Sequence, residues 1–138
     1  MRYLGLDLGT KTIGLALSDR SGLIASRYRL LHHDNDPAMC LPDLKDIVQT
    51  EQVEALVLGF PKNMNNTIGP RAEATKEFKQ LLETELQLPV ILEDERLTTK
   101  SAEATLIQGN MSRKKRKEVI DAVAATIILQ SYLDKRRK

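Results

Sequence analysis

Two short apolar runs, Tyr3-Leu4-Gly5-Leu6 and Ile13 to Leu17, are separated only by Asp7-Leu8-Gly9-Thr10-Lys11-Thr12. This spacing predicts a hairpin with strands near 2–7 and 12–18, and it sets the start of the fold. Asp7 then stands at the bend, where a carboxylate can reach a metal or a phosphate. Glycine and threonine in the turn let backbone N–H groups come close to an anion. Asp also commonly caps its own turn, and taken alone Asp7 fits either use. Two further acids in unusual places tip the balance.

A third strand is expected near 23–31, followed by a helix over about 41–50 with Leu41, Leu44, Ile47 and Val48 on one face. Ala55-Leu56-Val57-Leu58 reads as a central strand buried on both faces. The segment Gly59 to Thr67 is full of turn residues and reads as a loop. Pro70 opens a helix that carries Ala74, Phe78, Leu81, Leu82 and Leu86 at helical spacing. Pro89 to Leu92 is a further strand; Thr99 is expected to cap a helix ended by Gly109. Ser112 caps a last helix reaching about Leu133. Three strands followed by alternating helix and strand imply an α/β fold. Its mixed sheet is antiparallel over the first three strands and parallel beyond, with helices on both faces.

The 138 residues fit one domain, long enough to bury a core. Cys40, the single cysteine, can form no disulfide within the chain, which suits a reducing compartment. It lies in a loop-like stretch, and neither His32 nor His33 has a role readable from the sequence, so catalysis by Cys40 is not expected. With no signal peptide and no apolar run long enough to span a bilayer, the expected location is the cytoplasm, with no membrane partner. Charge is unevenly spread. From Met111 onward nine Lys/Arg face three acids, a net +6, whereas the other twelve Lys/Arg face sixteen acids, a net −4. A basic end on a mildly acidic body suits a polyanion that touches one face. Lys135 to Lys138 read as a solvated basic tail; Arg113 to Lys117 fit that description less well.

Glu93-Asp94-Glu95, followed by Arg96, places three carboxylates in a row at the end of a strand. They need either full solvation, which suits Glu93 and Asp94, or a cation. In open α/β sheets, ligands gather at the carboxyl ends of the strands, where Asp7 and Glu95 both lie. Asp121 is the only charge between Val119 and Leu129. A carboxylate buried in so apolar a helix costs several kcal/mol unless it is paired or bound to a metal. Its neighbours at helical spacing are Lys114, Lys117 and Glu118 on one side and Ala124, Ala125 and Ile128 on the other. A plain Asp–Lys pair would satisfy it. Cations in a first helical turn oppose the helix dipole, however, and make more sense if a phosphate arrives there. Asp7, Glu95 and Asp121 could thus converge on one site for Mg²⁺ or Mn²⁺, with paired ions about 4 Å apart hydrolysing a phosphodiester.

Four segments carry a family resemblance in the same order. Asp7-Leu8-Gly9-Thr10-Lys11-Thr12-Ile13-Gly14, Gly59-Phe60-Pro61-Lys62-Asn63-Met64, Asp94-Glu95-Arg96-Leu97-Thr98-Thr99 and Asp121-Ala122-Val123-Ala124-Ala125 resemble the YqgF family, also called RuvX. The resemblance spans nearly the whole chain. It implies a ribonuclease-H-like fold, here a single domain over residues 1–138 with a five-stranded mixed sheet. It implies a nuclease that uses Asp7, Glu95 and Asp121 as catalytic metal ligands and processes the 5′ end of 16S ribosomal RNA precursor. The family's older name, Holliday junction resolvase, implies branched DNA instead. Asn66 stands where the family usually has glycine, and Glu118 is the one candidate for the fourth carboxylate expected of junction resolvases.

Substrate contacts are expected from Lys11, from Lys62, Asn63 and Asn65 in the loop, from Arg96, and from Arg113, Lys114 and Lys117 at the start of the last helix. Aromatic content of 4% advertises no base-stacking surface, so shape-dependent phosphate contacts are the better expectation. A monomer or a weak homodimer is expected. Two rival readings are a sugar-kinase-like phosphate loop, which needs two duplicated domains, and a non-catalytic nucleic-acid-binding module, which would have lost the acids.

Overall fold

A computed structural model describes residues 1–9, 11–60, 70–94 and 113–136, with the side chains of 70–72, 94 and 113–122 outside that description. Strands β1 (Tyr3–Leu8), β2 (Thr12–Ser18) and β3 (Ala25–His32) come first. A short 3₁₀ turn, Pro37–Cys40, leads into α1 (Leu41–Glu51). Then follow β4 (Ala55–Phe60), α2 (Pro70–Leu86), β5 (Val90–Asp94) and α3 (Arg113–Arg136). The strands form one five-stranded sheet in the order β3-β2-β1-β4-β5. β2 pairs antiparallel with β1 and β3, while β4 pairs parallel with β1 and β5. This is the mixed sheet expected from the order of apolar runs.

Alternation along the central strands sorts side chains between two cores. Leu4, Leu6, Leu56 and Leu58 join Leu44 and Ile47 of α1 and Phe78 and Leu82 of α2. Tyr3, Ala16, Ala55 and Val57 join Ala125, Ile128, Leu129 and Leu133 of α3. β1 and β4 are therefore covered on both sides, which is why they read as nearly continuous apolar runs. α3 lies very close to β1: a Cβ on Gly5 would sit 2.7 Å from Leu129 Cβ and 3.1 Å from the Ala125 carbonyl oxygen. Gln130 ties the same helix to the β2–β3 turn, accepting from the Ala25 N–H at 2.8 Å and donating to the Leu23 carbonyl at 3.0 Å.

Several expectations need correction. Asp7 is not at a bend but inside β1, paired with Gly14, and Leu8 still pairs with Ile13. Gly59 and Phe60 belong to β4 and not to a loop, because β5 continues past Leu92 and supplies partners: Gly59 faces Glu93 and Phe60 faces Asp94. Glu93 is not solvated. It is 5% exposed and paired with Lys135, with Ser131 Oγ donating to it at 3.4 Å. Lys135 and Arg136 are accordingly helical and engaged, Arg136 lying 5.0 Å from the centre of the Tyr3 ring, so they are no free tail. The expected helix from Thr99 to Gly109 lies outside the described residues. Among the described residues no helix is long and apolar enough to cross a membrane.

Candidate active site at the carboxyl end of the sheet

β1, β4 and β5 are parallel, so Leu8, Phe60 and Asp94 end at the same edge of the sheet. Asp7, one residue inside that edge, is 8% exposed. It shares the α3-facing side of β1 with Tyr3 and Gly5, because strand side chains alternate. On β2 its direct partner is Gly14. On β4 the residue one step past the Leu6–Leu58 pair is Gly59, two residues beyond Val57 on the α3 side. Both strands flanking Asp7 thus present glycine at its level. Neither flanking strand therefore places a side chain directly beside Asp7 on this face.

Helix α3 runs antiparallel to β1 across this face. Tyr3 meets Tyr132, with ring centres 5.6 Å apart, while Gly5 meets Leu129 and Ala125. Two residues further along β1 advance about 7 Å, and four residues back along the helix cover about 6 Å. That step carries α3 from the Gly5 contact toward the Asp7 end of β1 through its N-terminal half, the part of the helix that contains Asp121. The third expected acid, Glu95, directly follows the last residue of β5 and lies outside the described residues, as do Arg96, Lys62, Asn63, Asn65 and Asn66. Arg113, Lys114, Lys117 and Glu118 fall in the first turns of α3, as expected; their side chains are not described. Among the described residues no three acids, histidines or cysteines gather into a metal cluster.

Lys11 lies at the same edge, paired with Asp34 at 3.2 Å; both side chains are largely exposed. Such a surface pair contributes little to stability. Two residues escaped the sequence reading. Lys76, exposed on the second turn of α2, lies 5.8 Å from the centre of the Phe60 ring at the end of β4. Its only sequence signal is its distance from a loop whose course the sequence does not show. His33 is 7% exposed: its ring meets the Gly9 carbonyl at 3.0 Å and accepts from the Asp36 N–H at 3.1 Å. No periodicity or motif marks it. Cys40, read from the sequence as part of a loop, ends the 3₁₀ turn and is buried; burial, with the nearby carboxylates of Asp43 and Asp36, pushes its thiol up.

Comparison with known proteins agrees with this architecture. A protein of Geobacillus sp. (strain WCH70) named "Putative pre-16S rRNA nuclease" is 54% identical over 138 residues, covering 99% of this chain and all of the relative. A Bacillus subtilis (strain 168) protein of the same name is 50% identical, covering 97% of this chain and 98% of the relative. Among solved structures, Thermus thermophilus RuvC in complex with a Holliday junction substrate superposes with a TM-score of 0.61 at 14% identity, over 99% of this chain and 96% of that one. Fowlpox virus resolvase gives 0.57 at 12% identity over the whole of both chains. These two likenesses establish the ribonuclease-H-like fold of RuvC. The family described as "RuvX: Holliday junction resolvase" matches residues 1–135, and with relatives of equal length sharing half of its residues, the chain belongs to the RuvX family.

Proposed function

We propose that this chain is a metal-dependent endonuclease that hydrolyses phosphodiester bonds in structured nucleic acid, processing the 5′ end of 16S ribosomal RNA precursor in the cytoplasm. The observation that carries the reading is the setting of Asp7. A nearly buried carboxylate stands at the carboxyl end of a central strand, flanked by Gly14 and Gly59, on the side of the sheet that α3 covers. Relatives spanning the same length bear the corresponding name.

The donor set suits a hard divalent cation, since Asp7, Glu95 and Asp121 offer only carboxylate oxygens. Mg²⁺ or Mn²⁺, when bound, supplies Lewis acidity that activates water and neutralises charge on the leaving oxygen. The chain's own part is orientation. β1 holds the Asp7 backbone by its ladder pairing with Gly14 of β2, and the close approach of α3 at Gly5 holds the helix that carries Asp121 against the same face. Lys11, Lys62, Asn63, Asn65, Arg96, Arg113, Lys114 and Lys117 would hold the substrate backbone, with Lys76 added at the end of β4.

The test is cleavage of precursor 16S rRNA by the purified protein in Mg²⁺ or Mn²⁺, with Asp7→Asn as control. Cleavage that EDTA and Asp7→Asn each reduce by about a thousandfold or more supports the reading. Wild-type cleavage by a folded Asp7→Asn would remove Asp7 from the site. The family's description favours a second reading, resolution of four-way DNA. It is tested on the same preparation: paired, symmetric nicks in a four-way junction, with precursor rRNA left intact, would make branched DNA the substrate.

A further inference from the structure

Gly9, two residues after Asp7, is held from outside the hairpin by a buried side chain. Past the Leu8–Ile13 pair, the Gly9 N–H donates to the Thr12 carbonyl at 2.8 Å. The next support comes from His33, beyond the end of β3. Its backbone N–H donates to the Lys11 carbonyl at 2.9 Å, and its ring reaches the Gly9 carbonyl at 3.0 Å. The ring is itself held. Asn35, in the left-handed region with φ 55°, turns the chain so that the Asp36 N–H donates to Nδ1 at 3.1 Å. With Nδ1 acting as acceptor, the ring hydrogen must be on Nε2, which donates to Gly9. Only the neutral Nε2–H tautomer satisfies both bonds.

Among the described residues, packing leaves one side of Gly9 open. Behind the turn is a cavity of about 160 Å³ lined by Leu8, Gly9, His33, Pro37 and Thr75 among others. Glycine has more backbone freedom than any other residue, so a Gly9 bordering a cavity needs a bond to fix it. We propose that His33 is a positioning residue for cleavage: through the Gly9 carbonyl it fixes the turn, and with it the orientation of the Asp7 carboxylate two residues earlier. The inference rests on the nuclease reading above and adds a residue to it.

Three variants separate positioning from plain stability. In His33→Gln the amide nitrogen can take the place of Nε2 and donate to Gly9, but the acceptor for Asp36 is lost. In His33→Asn the side-chain oxygen can take the place of Nδ1 and accept from Asp36, but it falls short of Gly9. His33→Ala loses both. Thermal melts are expected to fall by similar amounts for the Gln and Asn variants. Cleavage should split them: His33→Asn and His33→Ala lose about tenfold in kcat with KM nearly unchanged, whereas His33→Gln stays within about threefold of wild type. Mn²⁺ titrated without nucleic acid should bind His33→Gln more tightly than His33→Asn. If kcat simply follows the melting temperature, or His33→Asn cleaves at the wild-type rate, the proposal is overturned. Should the wild type cleave nothing, the nuclease reading fails and the Mn²⁺ order decides: Gln tighter than Asn upholds the positioning role, and equal or absent binding ends it. If His33→Ala does not fold, the Gln and Asn pair still gives the answer.

Discussion

The two faces of the sheet are built from alternate residues of the same strands, yet they are packed in different ways. Toward α1 and α2, large side chains meet large ones: Leu4, Leu6, Leu56 and Leu58 against Leu44, Ile47, Phe78 and Leu82. Toward α3 the sheet offers Gly5, Ala16, Ala55 and Val57, and the helix answers with Ala124 and Ala125 beside Ile128 and Leu129. The first face removes more apolar surface from water and supplies most of the hydrophobic stabilisation. The second brings helix backbone and strand close enough for Ala125 and Gly5 to meet, and so determines where the helix stands. Stability and placement of the candidate site are thereby divided between even and odd positions of β1.

The sharpest test of that division is a cavity on the first face. Leu82 is fully buried in α2, and Leu82→Ala should cost about 3 kcal/mol in chemical denaturation. The cleavage rate of the protein that remains folded should stay within about twofold of wild type. A large loss of kcat in that folded protein would show that the two faces are coupled, and would break the comparison.

Gly5→Ala should behave in the opposite way. Its methyl would meet Leu129 Cβ and the Ala125 carbonyl oxygen, neither of which is the end of a flexible chain, so α3 must shift. Overpacking of this kind costs about 2 kcal/mol, less than the Leu82 cavity. A shift of the helix carries Asp121 with it, however, so kcat should fall by about tenfold or more. Measuring both quantities on both variants gives a crossed pattern if the faces have separate roles and a parallel one if they do not.

A smaller effect is expected at the far end of α3. Lys135→Met leaves Glu93, 5% exposed, with Ser131 as its remaining partner among the described residues. Because the Lys135 side chain is 64% exposed, solvent screens the pair, and a loss of about 1 kcal/mol is expected instead of the several kcal/mol of a fully buried pair. Wild-type stability in urea would mean that Ser131 and water satisfy Glu93 without the lysine.

The smallest effect lies away from both faces. Gln52 caps α1 in the left-handed conformation, φ 56°, with its N–H on the Val48 carbonyl. Gln52→Gly should raise stability by about 0.5 kcal/mol with cleavage unaffected, since glycine holds that conformation without a Cβ penalty. A drop in stability would show that the Gln52 side chain makes a contact worth more than the strain it relieves.

Much of this architecture was legible along the chain. Apolar runs at Tyr3–Leu6, Ile13–Leu17 and Ala55–Leu58 marked the central strands because burial on both faces demands it. The spacing of Leu44, Ile47, Phe78 and Leu82 marked two helices with one covered side. Strand ends were harder to place. Gly59 and Phe60 carry turn-like signals, and they remain in β4 only because Glu93 and Asp94 of β5 lie opposite them. Ladder pairing is a non-local gain that composition cannot report. Asp7 was found as an isolated acid in an apolar setting, but its place inside the strand depended on Gly14 and Ile13 across the ladder.

What the sequence by itself determined is the order of elements and the two-sided burial of the central strands, and it singled out the candidate acids, because local periodicity and the cost of burying charge act residue by residue. Tertiary structure alone decided which residues share a level. Gly14 and Gly59 stand on the strands either side of Asp7, Gly5 admits α3 close to β1, and Lys135 returns to Glu93 across 42 residues of chain. His33 belongs to the same class, since its hydrogen bond to Gly9 joins residues 24 apart. Such contacts arise where strand register and helix packing bring distant backbone together, and no local pattern encodes the distance at which they meet.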